Sequence, residues 1–309
     1  MKSLIICLAI FAVALAHEEH PVSHAMVQSI RSAQPAWEPM EPHENPFHGY
    51  SVSDIKALLG TELVGDEYPY DEETESDALF AAPESFDARE QWPDCVHKIR
   101  NQGACGSCWA FGATEALSDR FCIASNGTVD VVLSPQDLVS CDTSNYGCQG
   151  GILPLAWKYI KQNGVCSDKC KPYSFMTRRL GLGLSCMHDS GCSTFSFASS
   201  ERFFVDSIYR PRTVSAIKKQ LVEHGPLEGA FTVYADFMNY KKGVYHHTSG
   251  SSLGGHAIKV LGYGTQDGMN YWLCANSWGK SWGENGFFKI KMGNCGINNE
   301  MIAGAPRLS

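Results

Sequence analysis

Gln102-Gly103-Ala104-Cys105-Gly106-Ser107-Cys108-Trp109-Ala110-Phe111 is the one stretch whose residue types already suggest a reaction. Beyond it, Trp109, Phe111, Ala113, Ala116, Leu117, Phe121 and Ile123 recur at spacings that predict a largely buried helix over 108–124. Cys108 therefore stands at a helix start. The unpaired N–H groups and positive dipole end of such a position favour a thiolate over a thiol, and the thiolate is the form that attacks carbonyl carbon. Cys108 is the candidate nucleophile.

Two other polar residues sit in apolar or glycine-rich settings. His256, in Leu253-Gly-Gly-His-Ala-Ile-Lys-Val260, opens a predicted strand after two glycines that let backbone or substrate approach closely. Asn276, in Tyr271-Trp-Leu-Cys-Ala-Asn-Ser-Trp-Gly279, has an amide able to hold one ring nitrogen of a histidine while tryptophans exclude water. Singly, a cysteine here is a disulfide half, a buried histidine a satisfied core residue and an asparagine a turn. Their order changes this: His256 lies 148 residues and Asn276 168 residues beyond Cys108, an interval that, with Cys105-Gly-Ser-Cys-Trp109, resembles that of papain-like cysteine peptidases.

At 309 residues the chain has room for one large domain, two lobes, or a domain with removable segments. Its N-terminus has a basic start at Lys2, an apolar run from Leu4 to Leu15 and a small-x-small exit at Ala14-Leu15-Ala16, so residues 1–16 are expected to be a signal peptide. The run is too short to span a bilayer, and no other run approaches that length, so no membrane partner is expected. Of thirteen cysteines, twelve remain after Cys7 leaves with the signal, a density that suits a disulfide framework in an oxidising lumen. Connectivity does not follow from spacing. Setting one catalytic thiol aside leaves an odd number, so at least one more cysteine is unpaired or bridges chains.

The net charge of −8 is unevenly spread. Between His17 and Phe80 there are fourteen Asp/Glu against two Lys/Arg, whereas residues 81–309 carry nineteen acids and twenty-two bases. No Lys/Arg cluster suits nucleic acid. Residues 17–80 are rich in Pro, Glu and His, with one apolar island at 51–60. There Ser51 and Asp54 form a capping-box pattern, Val52, Ile55, Leu58 and Leu59 share a helical face, and Gly60 ends it. An amphipathic helix inside an otherwise extended segment suits something that lies along another surface. Asp66 to Asp77, with seven acids and no base, then reads as an exposed linker and a good place to cut.

From Ala81 onward the chain reads as globular. Helices are predicted after Ser134-Pro135, after Gly151 and over 213–224, an irregular disulfide-pinned region over 164–200, and strands over 229–234, 255–262, 270–275 and 286–291. Helices early and strands late predict an α+β fold of two lobes with a seam between them.

Residues 81–305 resemble a papain-family cysteine peptidase of the cathepsin B-like branch. The resemblance rests on Gln102 to Phe111, Gly147-Cys-x-Gly-Gly151, Gly254-Gly-His-Ala257, Tyr271 to Gly279 and Trp282-Gly-x-Asn-Gly-Phe-Phe-Lys-Ile290, with Ser85-Phe-Asp-Ala-Arg-Glu-Gln-Trp92 and Glu228-Gly-Ala-Phe-x-Val-Tyr-x-Asp-Phe237 favouring the branch. It implies a helical left lobe, an antiparallel β-barrel-like right lobe and a cleft between them. It further implies a propeptide over about 17–80, a peptidase domain over 81–309, and a secreted or lysosome-like endopeptidase made as an inhibited zymogen. Cys108 would be the nucleophile, His256 its base and acid, Asn276 the group that orients His256, and Gln102 an oxyanion-hole donor. Gly150, Gly151 and Gly255 would border extended substrate, Trp278 and Trp282 would wall the leaving-group side, and Glu300 would floor the S2 pocket. Implied partners are peptide and protein substrates, the chain's own propeptide and cystatin-like inhibitors, with a monomer acting without cofactor or metal. Implied disulfides are Cys95–Cys122, Cys105–Cys148, Cys141–Cys186 and Cys170–Cys192, leaving Cys166, Cys274 and Cys295 unassigned.

The chain departs from the branch at the occluding loop, whose adjacent histidines normally bind a substrate's C-terminal carboxylate. The stretch from Cys170 to Cys192 is short and holds only His188, while His246-His247 falls in a strand-associated segment, and Asp142 stands where a second adjacent cysteine is usual. Little carboxydipeptidase activity is therefore expected. A redox reading of Cys105-Gly-Ser-Cys108 would need a preceding thioredoxin-like strand and leaves His256 and Asn276 unexplained. Zinc at Cys166 and Cys170 or at the His246 pair lacks a tetrahedral set. Asn126-Gly-Thr128 is a glycosylation sequon.

Overall fold

The computed structural model describes residues 19–65, 68, 80–174 and 202–308. The expected signal peptide, the acidic run apart from Tyr68, and Cys186, His188 and Cys192 lie outside the described residues.

The front segment carries more regular structure than its composition suggested. Helix α1 (His24–Ser32) starts at Ser23, whose hydroxyl accepts the Met26 N–H at 3.0 Å, and it buries Met26, Val27 and Ile30. Strand β1 (Trp37–Pro39) follows, then helix α2 (Val52–Lys56) with the anticipated capping box, in which Asp54 also accepts the Ser51 N–H at 3.0 Å. The expected helix to Gly60 is cut short. Leu58 and Leu59 close a tight turn, and the chain beyond them runs extended. Ile55, Leu58 and Leu59 are nonetheless buried, each burial contributing roughly 1.5–3 kcal/mol to the seating of this segment.

Strand β2 (Phe86–Asp87) and helix α3 (Ala88–Gln91) pack on the later sheet, and the first lobe holds helices α4 (Cys108–Ala124), α5 (Pro135–Cys141) and α6 (Leu153–Asn163). Helix α4 is buried on nearly every side from Cys108 to Cys122, which is why its sequence shows no single apolar stripe. Trp109, Leu117, Phe121, Leu138, Trp157 and Ile160 form the core around it. Cys95 is bonded to Cys122 and Cys105 to Cys148, and Cys141 is disulfide-bonded as well.

Strands β3 (Val165–Cys166) and β4 (Arg202–Phe203) pair with each other on the first-lobe core, and the second lobe contains β5 (Val205–Tyr209), α7 (Val214–His224), β6 (Leu227–Tyr234), β7 (Tyr240–Tyr245), β8 (Ser252–Gln266), β9 (Met269–Ala275), β10 (Phe287–Lys291) and β11 (Met301–Pro306). The large sheet runs β1-β7-β10-β9-β8-β6-β11-β5 with β2 also on β8, and every pair is antiparallel except β10 with β7. Its core is aromatic, built from Phe231, Phe237, Tyr240, Tyr245, Trp272, Trp282 and Phe288. Helix α4 lies against β8, β6 and β11, so the lobes meet along one helix and one sheet face. Across that seam the buried Lys259 ammonium of β8 donates to Asp119 of α4 at 2.6 Å, a pair whose desolvation makes it a device of register more than of stability. The front segment closes over both lobes. β1 extends the sheet at Trp37↔Gly243, and α1 packs on the turn over 235–239.

Candidate active site

Cys108 is the first residue of α4, at the seam, and is fully buried. Ala257 of β8, the residue after His256, faces it, with its N–H directed at Sγ. The His256 ring is likewise fully buried and stacks on Trp278 with centroids 4.5 Å apart. Its Nε2 lies 2.8 Å from Asn276 Oδ1, which also accepts the Ser277 N–H at 2.8 Å. An oxygen that accepts a backbone N–H cannot be the amide nitrogen, so His256 Nε2 carries the hydrogen and Nδ1 presents its lone pair. Nδ1 has no hydrogen-bond partner.

Gln102 joins this group through two bonds to Ser277. Its backbone N–H donates to the Ser277 carbonyl at 2.8 Å, and its Oε1 accepts the Ser277 hydroxyl at 2.7 Å. That second bond turns Nε2 inward, where it donates to the carbonyls of Leu58 at 2.9 Å and Cys105 at 2.7 Å. Ser277 was not singled out in the sequence, although its place beside Asn276 in Asn-Ser-Trp was a signal.

Residues 58–65 of the front segment lie along the seam. The Thr61 hydroxyl is 3.1 Å from Cys108 Sγ. The Thr61 N–H donates to the Gly255 carbonyl at 3.1 Å, the Glu62 N–H to the Gly151 carbonyl at 3.0 Å, and the Gly151 N–H to the Gly60 carbonyl at 2.7 Å. Gly150 and Gly151 on one side and Gly255 on the other thus border an extended strand. A Cβ on Gly60 would run into the Gly106 carbonyl, so only glycine lets the segment lie this close. At one end of its path Phe47 packs edge-on against Trp278 at 5.2 Å. At the other end the Gly65 N–H donates to Glu300 Oε1 at 2.8 Å. Trp282 lies one layer deeper, edge-on to Trp278 at 5.1 Å with its Nε1 donating to the Met238 carbonyl, and holds Trp278 from behind.

Burial sets the protonation of this covered state. It raises the Cys108 thiol, against the N–H of Ala257, the Thr61 hydroxyl and the N–H groups of Gly60 and Trp109. It lowers His256 to about 4, against the bond to Asn276. Both shifts favour neutral thiol beside neutral imidazole, the unreactive pair. Cys274 and Cys295 are free thiols away from the site, both raised by burial. Among the described residues no group of three or more His, Cys, Asp or Glu is arranged to hold a metal ion, and no helix is long and apolar enough to cross a membrane.

A buried cysteine at a helix start, facing a histidine strand across a two-lobed α+β seam, defines a class. Residues 82–305 match the model of the papain family of cysteine proteases, and the chain belongs to that family, with its two-lobed fold. Within the family it is similar to cathepsin B-like cysteine proteinase 4 of Caenorhabditis elegans, 40% identical with 92% of each chain covered. It is 45% identical to cathepsin B-like cysteine proteinase 6 of the same organism, over 74% of this chain and 67% of that one. Among solved structures, proCathepsin B S9 from Trypanosoma congolense superposes with a TM-score of 0.81 at 29% identity, covering 94% of this chain and all of that one.

Proposed function

We propose that this chain is the zymogen of a cathepsin B-like cysteine endopeptidase in which Cys108 attacks the peptide carbonyl and His256 first takes the thiol proton through Nδ1 and then protonates the leaving amine. Asn276 fixes the ring. Gln102 Nε2 and the Cys108 N–H receive the developing oxyanion. The observation that carries this reading is that a backbone carbonyl, that of Leu58, already sits on Gln102 Nε2 beside a thiol and a strand-bordering glycine edge. Peptide is the ligand the seam accommodates.

Residues 17–80 are the inhibitory propeptide in this account. They pass from Trp278 on the leaving-group side to Glu300 on the acyl side. A substrate has its acyl part N-terminal to the scissile bond, so the propeptide runs with opposite polarity and presents no correctly aligned carbonyl to Cys108. Gly60→Ala is expected to lift the propeptide from Gly106 and raise the hydrolysis rate of the unprocessed chain about tenfold, the effect of a clash costing ~1–3 kcal/mol. A fluorogenic peptide assay on chain with an intact linker measures it.

Acid weakens this closure. Burial under the front segment lowers His256 from its ordinary 6.5 to about 4, so a ring returned to water binds a proton that the covered ring refuses. The contribution of neutral His256 to closure is therefore full above pH 6.5 and fades as pH falls towards 4. In a Cys108→Ala chain, hydrogen-exchange protection of the Thr61 and Glu62 amides should fall across that window, and His256→Gln should flatten the fall.

Glu300 on the acyl side suits a P2 arginine. Glu300→Ala is expected to lose P2-Arg hydrolysis preferentially, and equal rates for both enzymes would dispose of that pocket. The propeptide, cystatin-like proteins and peptide substrates are the proposed partners of a monomeric enzyme, acting in an acidic vesicle or outside the cell after passage through the secretory pathway. Acid processing with N-terminal sequencing, followed by a P2/P1 peptide library, tests the whole reading. Internal cleavage supports it, and rapid sequential loss of C-terminal dipeptides contradicts the endopeptidase assignment that the single His188 between Cys170 and Cys192 suggests.

A further inference from the structure

We propose that Tyr173 is a positioning residue that sets both oxyanion donors through one phenol, an inference that rests on the catalytic reading above. The Tyr173 hydroxyl donates to the backbone carbonyl of Gln102 at 2.7 Å and lies 2.9 Å from the Ser107 hydroxyl. A phenol has one hydrogen, and the carbonyl takes it, so Ser107 is the donor in the second bond. The two residues tied together are the one that carries the side-chain oxyanion donor and the one whose peptide unit carries the Cys108 N–H.

The Ser107 end holds an anomaly. Serine at a helix N-cap ordinarily turns its oxygen to an N–H of the first turn. Ser107 is the N-cap of α4 and makes no such bond, because its hydroxyl is turned towards Tyr173 instead. Diverting it leaves the first N–H groups of the helix for the reacting centre, and the Trp109 N–H is indeed directed at Cys108 Sγ. The Gln102 end complements this. Gly103 has φ of +59°, and the Gln102 peptide carbonyl is pulled towards Tyr173 while Ser277 holds the side-chain amide from the opposite side. The ring itself is held edge-on against Phe111 of the same helix at 4.6 Å. Tyr173 thus works as a short strut spanning residues 102 and 107, with no contact to the thiol required.

The test uses the full-length chain after acid processing and compares wild type, Tyr173→Phe, Gln102→Ala and the double variant. Each is assayed for kcat and KM on a fluorogenic peptide and for the rate of Cys108 alkylation by iodoacetamide, which needs the thiolate but no oxyanion donor. Tyr173→Phe keeps the ring and its packing. It is expected to lower kcat about tenfold with KM and alkylation within twofold of wild type, a misplacement effect smaller than loss of a donor. It is also expected to cost less in the Gln102→Ala background than alone, since one of the two donors it sets is already gone. An unchanged kcat, a parallel fall in alkylation, or full additivity would overturn the proposal while leaving the catalytic reading in place. A Gln102→Ala enzyme as active as wild type would instead overturn the oxyanion reading and this proposal with it.

Discussion

Cys108→Ala should lower peptide hydrolysis at least about 10⁴-fold, with no compensating change in the conditions of the assay able to restore it, because the proposed mechanism loses its attacking atom. The substitution removes one sulfur from a fully buried site and places the best helix former at the first position of α4, so the chain should remain folded. The variant zymogen should also stay unprocessed at acid pH if maturation depends on its own activity, and should mature when supplied with active wild-type enzyme. Gel analysis of both mixtures, alongside the hydrolysis assay, measures this. Residual activity near wild type would transfer the nucleophile's role elsewhere, and buried Cys274 and half-buried Cys295, both away from the seam, offer no substitute.

Gln102→Ala should cost about 100- to 1,000-fold in kcat with little change in KM, the loss associated with removing one oxyanion donor. The structure supplies a second consequence. Gln102 Nε2 also holds the Leu58 carbonyl, so the same variant loses a bond from the closed state and should release its propeptide more readily. Higher accessibility together with lower turnover is a combination that general destabilisation of the peptidase domain does not produce in the processed enzyme. A kinetic comparison of processed Gln102→Ala with wild type, paired with limited proteolysis of the unprocessed chains, separates the two effects.

Much of this was legible in the chain because the signals were local. Ser134-Pro135 and Thr213 mark helix starts, and α5 begins at Pro135 and α7 at Val214. The strand read over 255–262 is part of β8, which runs further at both ends, from Ser252 to Gln266. Other elements were missed for identifiable reasons. β7 alternates poorly because Lys241 and Lys242 are adjacent and exposed, and β1 contains a proline. α1 is short, and its Met26, Val27 and Ile30 are sparse among polar neighbours, yet Ser23 was a readable N-cap. The bonds that build the site were beyond local reading. Ser277 turning Gln102 joins residues 175 apart in sequence, and the Thr61 hydroxyl on Cys108 joins residues 47 apart. Sequence motifs could name Cys108, His256, Asn276 and Gln102 as candidates, whereas only the packed chain puts the Leu58 carbonyl on the Gln102 amide.

The most direct measurement is alkylation of Cys108 by iodoacetamide, located by mass spectrometry, in the intact chain and again after acid processing, with hydrolysis followed in parallel. A buried neutral thiol beneath Thr61 should label slowly in the intact chain. After residues 17–80 are removed it should label rapidly, and hydrolysis should disappear in proportion to the label. Equal labelling before and after processing would contradict the covering of the site by the front segment, and full labelling with hydrolysis intact would contradict Cys108 as the nucleophile.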